Sequence, residues 1–204
     1  MDKKVEDSIE FFNPICKLES NNYGPFYILK QNNSKKKALV LFPETGYMYW
    51  PLLYEAKKGC VKDIFKPSIY GVGYIANAHK KDNKVLYNRW ISMLSRCYNS
   101  QDPAYKFYGA KGYYVDYRWH SFENYLNDIC YLPGYNEMIK NPSEYELDKD
   151  ILQSNIENKV YSSSTCIWVK KNYNNFYILN SYKNKTSSKY IGVCKDSRGS
   201  IPVW

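Results

Sequence analysis

YELDKDILQSNIENKVYSSSTCIWVKKNYNN, from Tyr145 to Asn175, is the stretch of sequence on which the fold of this chain depends. Its pattern predicts a strand with charged residues over Glu146–Leu152, a turn rich in asparagine, and a second strand over Thr165–Val169. Lys170 and Lys171 then begin a short helix. The stretch therefore predicts two strands and a helix that belong to one structural unit.

The N-terminal part of the chain predicts a small antiparallel sheet. Segments that favour strands occur at Pro25–Lys30, Lys37–Phe42 and Gly46–Trp50, and the turn signals QNNSKK and PETG separate them. A turn around Asn33 and Ser34 would join two of these strands as a hairpin, to which the third strand would add.

Two helices are predicted between the sheet and the opening stretch. Lys84–Ser100 places apolar residues at helical spacing on one face, namely Leu86, Trp90, Met93, Leu94 and Cys97. Arg89 and Arg96 lie off this face, where they would either contact phosphate or only solvate the helix. A second helix is predicted from an N-cap at Ser121 to about Cys130.

These patterns together predict an α+β fold, with a small β-rich N-terminal module followed by a domain of helices and the strand–strand–helix unit. A polar linker at residues 79–81 marks the boundary between the two parts. The expected divisions are a loosely ordered lead-in over 1–22, the β-rich module over 23–78, the α+β domain over 79–180 with its strand–strand–helix unit at 145–178, and a basic tail over 181–204.

The charge of the chain favours a polyanionic partner. The formal net charge is +9, and the 23 tyrosines supply rings that could stack beside phosphate contacts. The charge alone is equally compatible with a basic protein that is merely soluble. Basic residues interleaved with aromatic ones favour nucleic acid, and the candidate contacts are Arg89, Arg96, Lys170, Lys171, Lys183, Lys185 and Lys189.

Six cysteines are spread along the chain without any CxxC pair. This spacing argues against a zinc finger and against a secreted scaffold held by disulfides, so we expect separate thiols in a reducing cytoplasm and no zinc. We find neither a signal peptide nor a run of about 18 apolar residues, and so expect no membrane partner.

Four motifs in order resemble phage-encoded HNH endonucleases of the homing type, also called ββα-metal or His-Me finger proteins. They are YNRWISMLSRCYN, YKFYGAKGYYVDYRWHSFENYLND, ELDKDIL and NKVYSSSTCIWV, and the resemblance covers roughly residues 45–200. The ending TSSKYIGVCKDSRGS is similar to the first strands of an integrase-type APETALA DNA-binding domain, here cut short. The resemblance implies double-stranded DNA as partner and the cytoplasm of a phage-infected bacterial cell or prophage host.

The resemblance also implies roles for individual residues. Asp148 matches the metal-binding carboxylate on the first strand, and Asn174 matches the helical ligand of Mg²⁺ or Mn²⁺. Lys149 stands where relatives have the histidine that activates water, and a lysine of ordinary pKa, about 10.4, is a poor base at neutral pH. Lys149 could act as base if desolvated or could hold the phosphate, Asp150 could be a second ligand or substitute base, and His120 could replace the missing imidazole if the fold brings it near Asp148.

Three functions follow as hypotheses. The first is a metal-dependent DNA endonuclease that hydrolyses phosphodiesters. The second is a catalytically inactive HNH-derived protein that keeps the basic surface and regulates or blocks a host nucleic-acid or defence machine. The third is a protein that binds a host protein through its tyrosine-rich surface. In a purely structural alternative, LDKDIL is an edge strand with alternating charges and Asn174 is a surface amide.

Overall fold

A four-stranded antiparallel sheet opens the fold in the computed structural model, which describes residues 13–154 and 156–173. Its strands follow one another in chain order. They are β1 Cys16–Ser20, β2 Gly24–Asn32, β3 Lys37–Phe42 and β4 Tyr47–Tyr49. The three predicted strands and the hairpin turn after β2 are therefore confirmed.

Strand β1 begins within the segment that was expected to be a loosely ordered lead-in to residue 22. It pairs antiparallel with β2 along its whole length, with Cys16 opposite Ile28 and Ser20 opposite Gly24. Cys16 and Leu18 pack against the core of the sheet, while Lys17 and Glu19, which alternate with them, are exposed. Side chains of this segment alternate between partly buried and exposed, which is typical of a half-buried strand. The prediction missed this pattern because the segment is rich in charged residues.

One face of the sheet forms a first apolar core. Phe26, Ile28, Val40 and Phe42 are almost completely buried there. The short helix α1, Leu53–Lys57, covers them through Ala56. Burying each of the large side chains stabilises the fold by about 1.5–3 kcal/mol, so this core fixes the register of the strands.

Three α-helices belong to the second part of the fold. They are α2 Lys84–Tyr98, α3 Phe122–Ile129 and α4 Tyr135–Lys140. The apolar stripe predicted on α2 is buried, and the side chain of Ser121 caps α3 by accepting a hydrogen bond from the Asn124 amide. Both helix predictions are confirmed. Helix α4 was not expected, because Pro133 and Gly134 indicated only the end of the preceding helix.

Two small sheets complete the described fold. Strand β5, Tyr114–Val115, pairs parallel with β7, Val160–Tyr161. Strand β6, Tyr145–Asp148, pairs antiparallel with β8, Ile167–Lys170, and residues 171–173 follow as a helical turn. This mixture of helices with mainly antiparallel sheets confirms the predicted α+β class. Among residues 13–154 and 156–173, no helix combines the length and apolar character that a membrane span requires.

Gly134 fixes the position of β8 against the start of α4. The amide of Trp168 donates a hydrogen bond of 2.9 Å to the carbonyl of Pro133. Gly134 has a φ of +83°, and a Cβ at this residue would collide with the carbonyl oxygen of Trp168. Only glycine combines this backbone conformation with such a close approach of the strand.

We predict that Gly134→Ala destabilises the protein by about 3 kcal/mol or more, because the backbone strain of about 1–2 kcal/mol is joined by a steric clash. Gly46→Ala is the matched control, since Gly46 has a φ of +73° with no atom within 4 Å of an added Cβ. Gly46→Ala should lower the free energy of unfolding only by the backbone strain, about 1–2 kcal/mol. Urea denaturation measures both changes, and equal losses would show that Gly134 does not hold β8.

Candidate functional site

Asp148 turns the chain at the end of β6. One carboxylate oxygen, Oδ1, accepts hydrogen bonds from the backbone amides of Asp150 and Ile151, at 2.9 and 2.8 Å. This turn explains why β6 ends at Asp148 instead of continuing to Leu152 as predicted. Burial and the charge of Asp150 raise the pKa of Asp148, although the two amides and Lys149 oppose the shift.

Lys149 is buried in a cage of tyrosine rings. Its side chain is only 2% exposed. Its Nζ lies 4.9, 4.5 and 5.3 Å from the ring centroids of Tyr108, Tyr113 and Tyr161, which we call the tyrosine cage. The ammonium group also donates to both oxygens of Asp150, at 3.0 and 2.9 Å. Burial lowers the pKa of Lys149, and the charge of Asp150 opposes this shift.

Asp150 pairs with a second lysine. The Nζ of Lys159 lies 2.6 Å from Asp150 Oδ1. Burial alone would raise the pKa of Asp150, but the hydrogen bond from Lys159 and the charge of Lys149 outweigh it, so the pKa is lowered. The carboxylate is therefore held ionised between two ammonium groups. We call Lys149, Asp150 and Lys159 the strand-end triad.

Gln153 holds the loop that carries the triad. It is buried, and its Nε2 donates to the carbonyls of Lys149 and Val160, both at 2.8 Å. Its Oε1 accepts the amide of Val160 at 3.0 Å. Sequence reasoning missed both Gln153 and the tyrosine cage. The cluster of tyrosines in YKFYGAKGYY was visible, but nothing in its spacing placed it against Lys149.

These contacts bear on the chemistry predicted for the site. A lysine base must lose its proton and reach water, yet the Lys149 ammonium is enclosed by rings and paired with Asp150. Asp150 is in turn bonded to both lysines. Catalytic roles for Lys149 and Asp150 remain predictions, and their described contacts favour a structural role.

His120 makes its contacts elsewhere. Its Nε2 lies 3.1 Å from the hydroxyl of Tyr98, and that hydroxyl accepts the backbone amide of Val115 at 3.0 Å. Burial lowers the pKa of His120. The ring also packs against Tyr117. None of the contacts of His120 within the described residues is with Asp148, so a role as substitute base stays a prediction.

The predicted metal site is only partly described. Asn174 lies outside the described residues, as do Lys183, Lys185 and Lys189. Within residues 13–154 and 156–173, no group of three or more His, Cys, Asp or Glu side chains could hold a metal ion. Asp148 could offer Oδ2, because its Oδ1 is taken by two amides. One carboxylate fits Mg²⁺ only if water and substrate phosphate complete the coordination.

A groove lies between α2 and the β6–β8 pair. Its volume is about 290 Å³. Three cationic residues and a single acidic one line it, together with small polar and apolar side chains: Asn88, Arg89, Ser92, Met93, Arg96, Glu146, Leu147 and Lys171. We call this feature the α2 groove. Its charge balance suits an anionic ligand.

Both arginines of the α2 groove are also bound to the fold. Arg89 donates to the carbonyls of Pro142 and Tyr145, and its guanidinium lies 5.2 Å from the Trp168 ring centroid. Arg96 lies 4.8 Å from the ring centroid of Tyr108, a member of the tyrosine cage. These contacts hold α2 against the rest of the domain and fix the positions of both positive charges.

The two lysines after β8 are more accessible. Lys170 and Lys171 are both exposed. The Nζ of Lys170 lies 3.8 Å from Glu144, a surface ion pair that contributes little to stability. The backbone amide of Lys171 donates to the Glu144 carbonyl at 2.9 Å, which positions the start of the helical turn beside the groove.

We predict that Asp150→Ala destabilises the protein more than Lys149→Met. Removing Asp150 leaves the buried Lys149 ammonium without its counter-charge, for an expected cost of about 2–3 kcal/mol. Lys149→Met removes the buried charge, keeps most of the side-chain volume, and leaves Asp150 paired with Lys159. Its free energy of unfolding should stay within about 1 kcal/mol of wild type.

Urea denaturation of the two variants measures this asymmetry. If Lys149→Met costs as much as Asp150→Ala, the ammonium group contributes more to stability than its burial costs, and the predicted asymmetry between the two variants is wrong.

Comparisons with models of protein families, with curated proteins and with solved structures find no match to this chain. The resemblance to HNH endonucleases therefore depends on the sequence motifs alone. A function for the chain has to be inferred from the contacts described above.

Proposed function

We propose that this protein binds double-stranded DNA, with the α2 groove and the start of the helix after β8 as the contact surface. The observation that carries the proposal is the convergence of Arg89, Arg96 and Lys171 on one groove, where Glu146 is the only acidic residue among the described residues of the lining. The net charge of +9 supports a polyanionic partner. The sequence resemblance supports DNA as that partner, in the cytoplasm of a phage-infected bacterial cell or prophage host.

The arginines suit contacts to a phosphate backbone. A guanidinium that already lies over Trp168 or Tyr108 has lost much of its conformational freedom before any ligand binds. Binding then costs less side-chain entropy than it would for a free arginine. Asn88 and Ser92, on the same face of α2, add hydrogen-bonding groups of the kind that contact phosphate oxygens.

Lys171 is the cleanest test of this surface, because its side chain is exposed and its only described hydrogen bond uses the backbone amide. We predict that Lys171→Ala leaves stability unchanged but weakens binding to a duplex of about 30 base pairs several-fold. One lost phosphate contact should reduce the slope of log affinity against log salt by about 0.9.

Fluorescence anisotropy at several salt concentrations measures this effect. Lys35→Ala is the matched control, since Lys35 is exposed on the turn between β2 and β3 and does not line the α2 groove. Affinity that ignores salt and both substitutions would favour the alternative in which the partner is a host protein.

Metal-dependent phosphodiester hydrolysis is a second candidate function. The observation that favours it is the position of Asp148, at the end of a strand that pairs antiparallel with β8, which leads directly into a helical turn. This order is similar to the unit that HNH endonucleases use. Mg²⁺ or Mn²⁺ bound there would stabilise charge on the phosphate and lower the pKa of water.

Different residues of the site would bind the metal ion, stabilise the turn and contact the DNA backbone. Asp148 would bind the ion through Oδ2 while Oδ1 keeps the turn closed. The strand-end triad would keep that turn in place without touching the substrate. Lys170 and Lys171 would hold the phosphate backbone beside it. If no cleavage occurs, the same surface serves the other proposed role, a binding protein that regulates or blocks a host nucleic-acid or defence machine.

We predict that Asp148→Asn reduces any Mg²⁺- or Mn²⁺-dependent nicking of plasmid DNA by about 100-fold or more, because the carboxylate charge that binds the ion is lost. Asparagine keeps an oxygen for the Asp150 and Ile151 amides, so folding and DNA affinity should persist. Alanine would remove this acceptor, so a loss of metal binding could not be distinguished from a loss of the turn after β6.

Lys149→Met is the control variant in the same nicking assay. It should keep any nicking activity, because the contacts of Lys149 favour a structural role. An unchanged nicking rate in Asp148→Asn would remove the site assignment. Absence of nicking in the wild type, with salt-dependent binding retained, would leave the binding protein as the function.

A further inference from the structure

A second basic cavity lies where the N-terminal sheet meets the linker before α2. Its volume is about 580 Å³. Four lysines line it, against two acidic residues. The charged members of the lining are Lys62, Asp63, Lys66, Lys80, Lys81 and Asp82. We call this feature the linker cavity; it shares no residue with the α2 groove.

Asp63, one of the two acidic residues, is buried and hydrogen-bonded within the fold. Asp63 is only 2% exposed. Its Oδ2 accepts the hydroxyl of Thr45 at 2.6 Å, and its Oδ1 accepts the amide of Phe65 at 3.0 Å. These bonds make the Asp63 side chain part of the wall of the cavity. The remaining acid, Asp82, is exposed at the edge.

The lysines are held to different degrees. Lys66 is fixed deepest, with its Nζ 2.7 Å from Glu44 and 3.2 Å from the carbonyl of Tyr23. Lys80 is steered by the ring of Tyr87 in α2, whose centroid lies 4.9 Å from its Nζ. Lys62 and Lys81 are exposed, and no ion pair to either is described within residues 13–154 and 156–173.

The wall of the cavity is firmly joined to the second part of the fold. Tyr74 donates its amide to the His120 carbonyl at 3.0 Å and accepts the Phe122 amide at 2.9 Å. Asn77 bonds to Glu123 at the start of α3. The linker that follows leads directly into α2, so the cavity lies at the beginning of the helix whose later turns line the α2 groove.

We propose that the linker cavity is a second phosphate-binding site for the same DNA duplex, an inference that rests on the proposed function and extends it to the N-terminal module. Lysine ammonium groups are point charges that bind phosphate without reading bases. Exposed lysines at the edge of an open cavity suit a continuous backbone better than an enclosed small anion. The 15 residues of α2 span about 22 Å, which is well within the reach of one helical turn of DNA, about 34 Å.

The second site adds affinity without sequence specificity. Each phosphate neutralised by a lysine releases counterions, and this raises the salt dependence of binding by about 0.9 per contact. The site therefore lengthens the stretch of duplex that the protein covers, and short duplexes should lose this contribution. The α2 groove and the linker cavity then act as two contacts on one ligand.

The test is the double variant Lys80→Glu/Lys81→Glu, measured by fluorescence anisotropy on a duplex of about 30 base pairs and on a short hairpin duplex with a stem of about 5 base pairs. At about 3.4 Å per base pair this stem is shorter than α2. We expect affinity for the long duplex to fall about 10-fold or more and the salt slope to fall by about 2, with a clearly smaller loss on the short duplex. Both side chains are exposed, and loss of the Lys80–Tyr87 contact should lower the free energy of unfolding by no more than about 1 kcal/mol.

The matched control is Lys35→Glu/Lys36→Glu, which makes the same change in net charge on the turn between β2 and β3, outside the cavity. It should lower affinity no more than about 2-fold through its effect on net charge. Equal losses in the two double variants would overturn the proposal, because binding would then respond to overall charge alone.

Two further results separate this site from other possibilities. Displacement of the long duplex from the wild type by inorganic phosphate, at constant ionic strength, would overturn the duplex assignment in favour of a small-anion site. Lys171→Ala tests the α2 groove separately, because Lys171 lines that groove and not the linker cavity. If that variant binds normally while Lys80→Glu/Lys81→Glu does not, the groove assignment fails and the linker cavity stands.

Discussion

The compensation of one buried charge, the ammonium group of Lys149, determines which groups surround the loop after β6. A charge at 2% exposure is costly unless the fold compensates it, and here three tyrosine rings and the Asp150 carboxylate do so. The compensating groups come from segments that are far apart in the chain. Satisfying one lysine therefore fixes the loop after β6 against the segment that contains Tyr108 and Tyr113.

The same rings connect this centre to the surface. Tyr108 and Tyr161 each contact both the ammonium group of Lys149 and the guanidinium of Arg96. Arg89 makes a parallel link from α2 to Trp168 in β8. The α2 groove is thus formed between two elements that aromatic–cation contacts hold together. Its two arginines stabilise the fold and are also the proposed phosphate contacts. Stability and the proposed DNA contact share the same side chains.

Much of the fold could be predicted from the sequence where apolar periodicity was strong. The stripe from Leu86 to Cys97 and the N-cap at Ser121 are examples, because each depends on local spacing. The site was harder for a physical reason. The placement of Asp148 on a strand followed from local pattern, although the strand ends at Asp148 and not at Leu152 as predicted. The environment of Lys149, in contrast, depends on tyrosines brought in by tertiary packing. A lysine between two aspartates in sequence gave no sign of burial, and Gln153 looked like an ordinary loop residue.

Lysine acylation followed by mass spectrometry, on the free protein and on its complex with a DNA duplex, shows whether Lys149 is enclosed by the fold. We expect Lys149 to be unreactive in both states because the tyrosine cage and Asp150 enclose it, whereas Lys170 and Lys171 should react in the free protein and be protected by DNA. Reaction of Lys149 in the free protein and its protection by DNA would contradict the structural role of this lysine. That result would place Lys149 at the ligand and return it to a role in catalysis or phosphate binding.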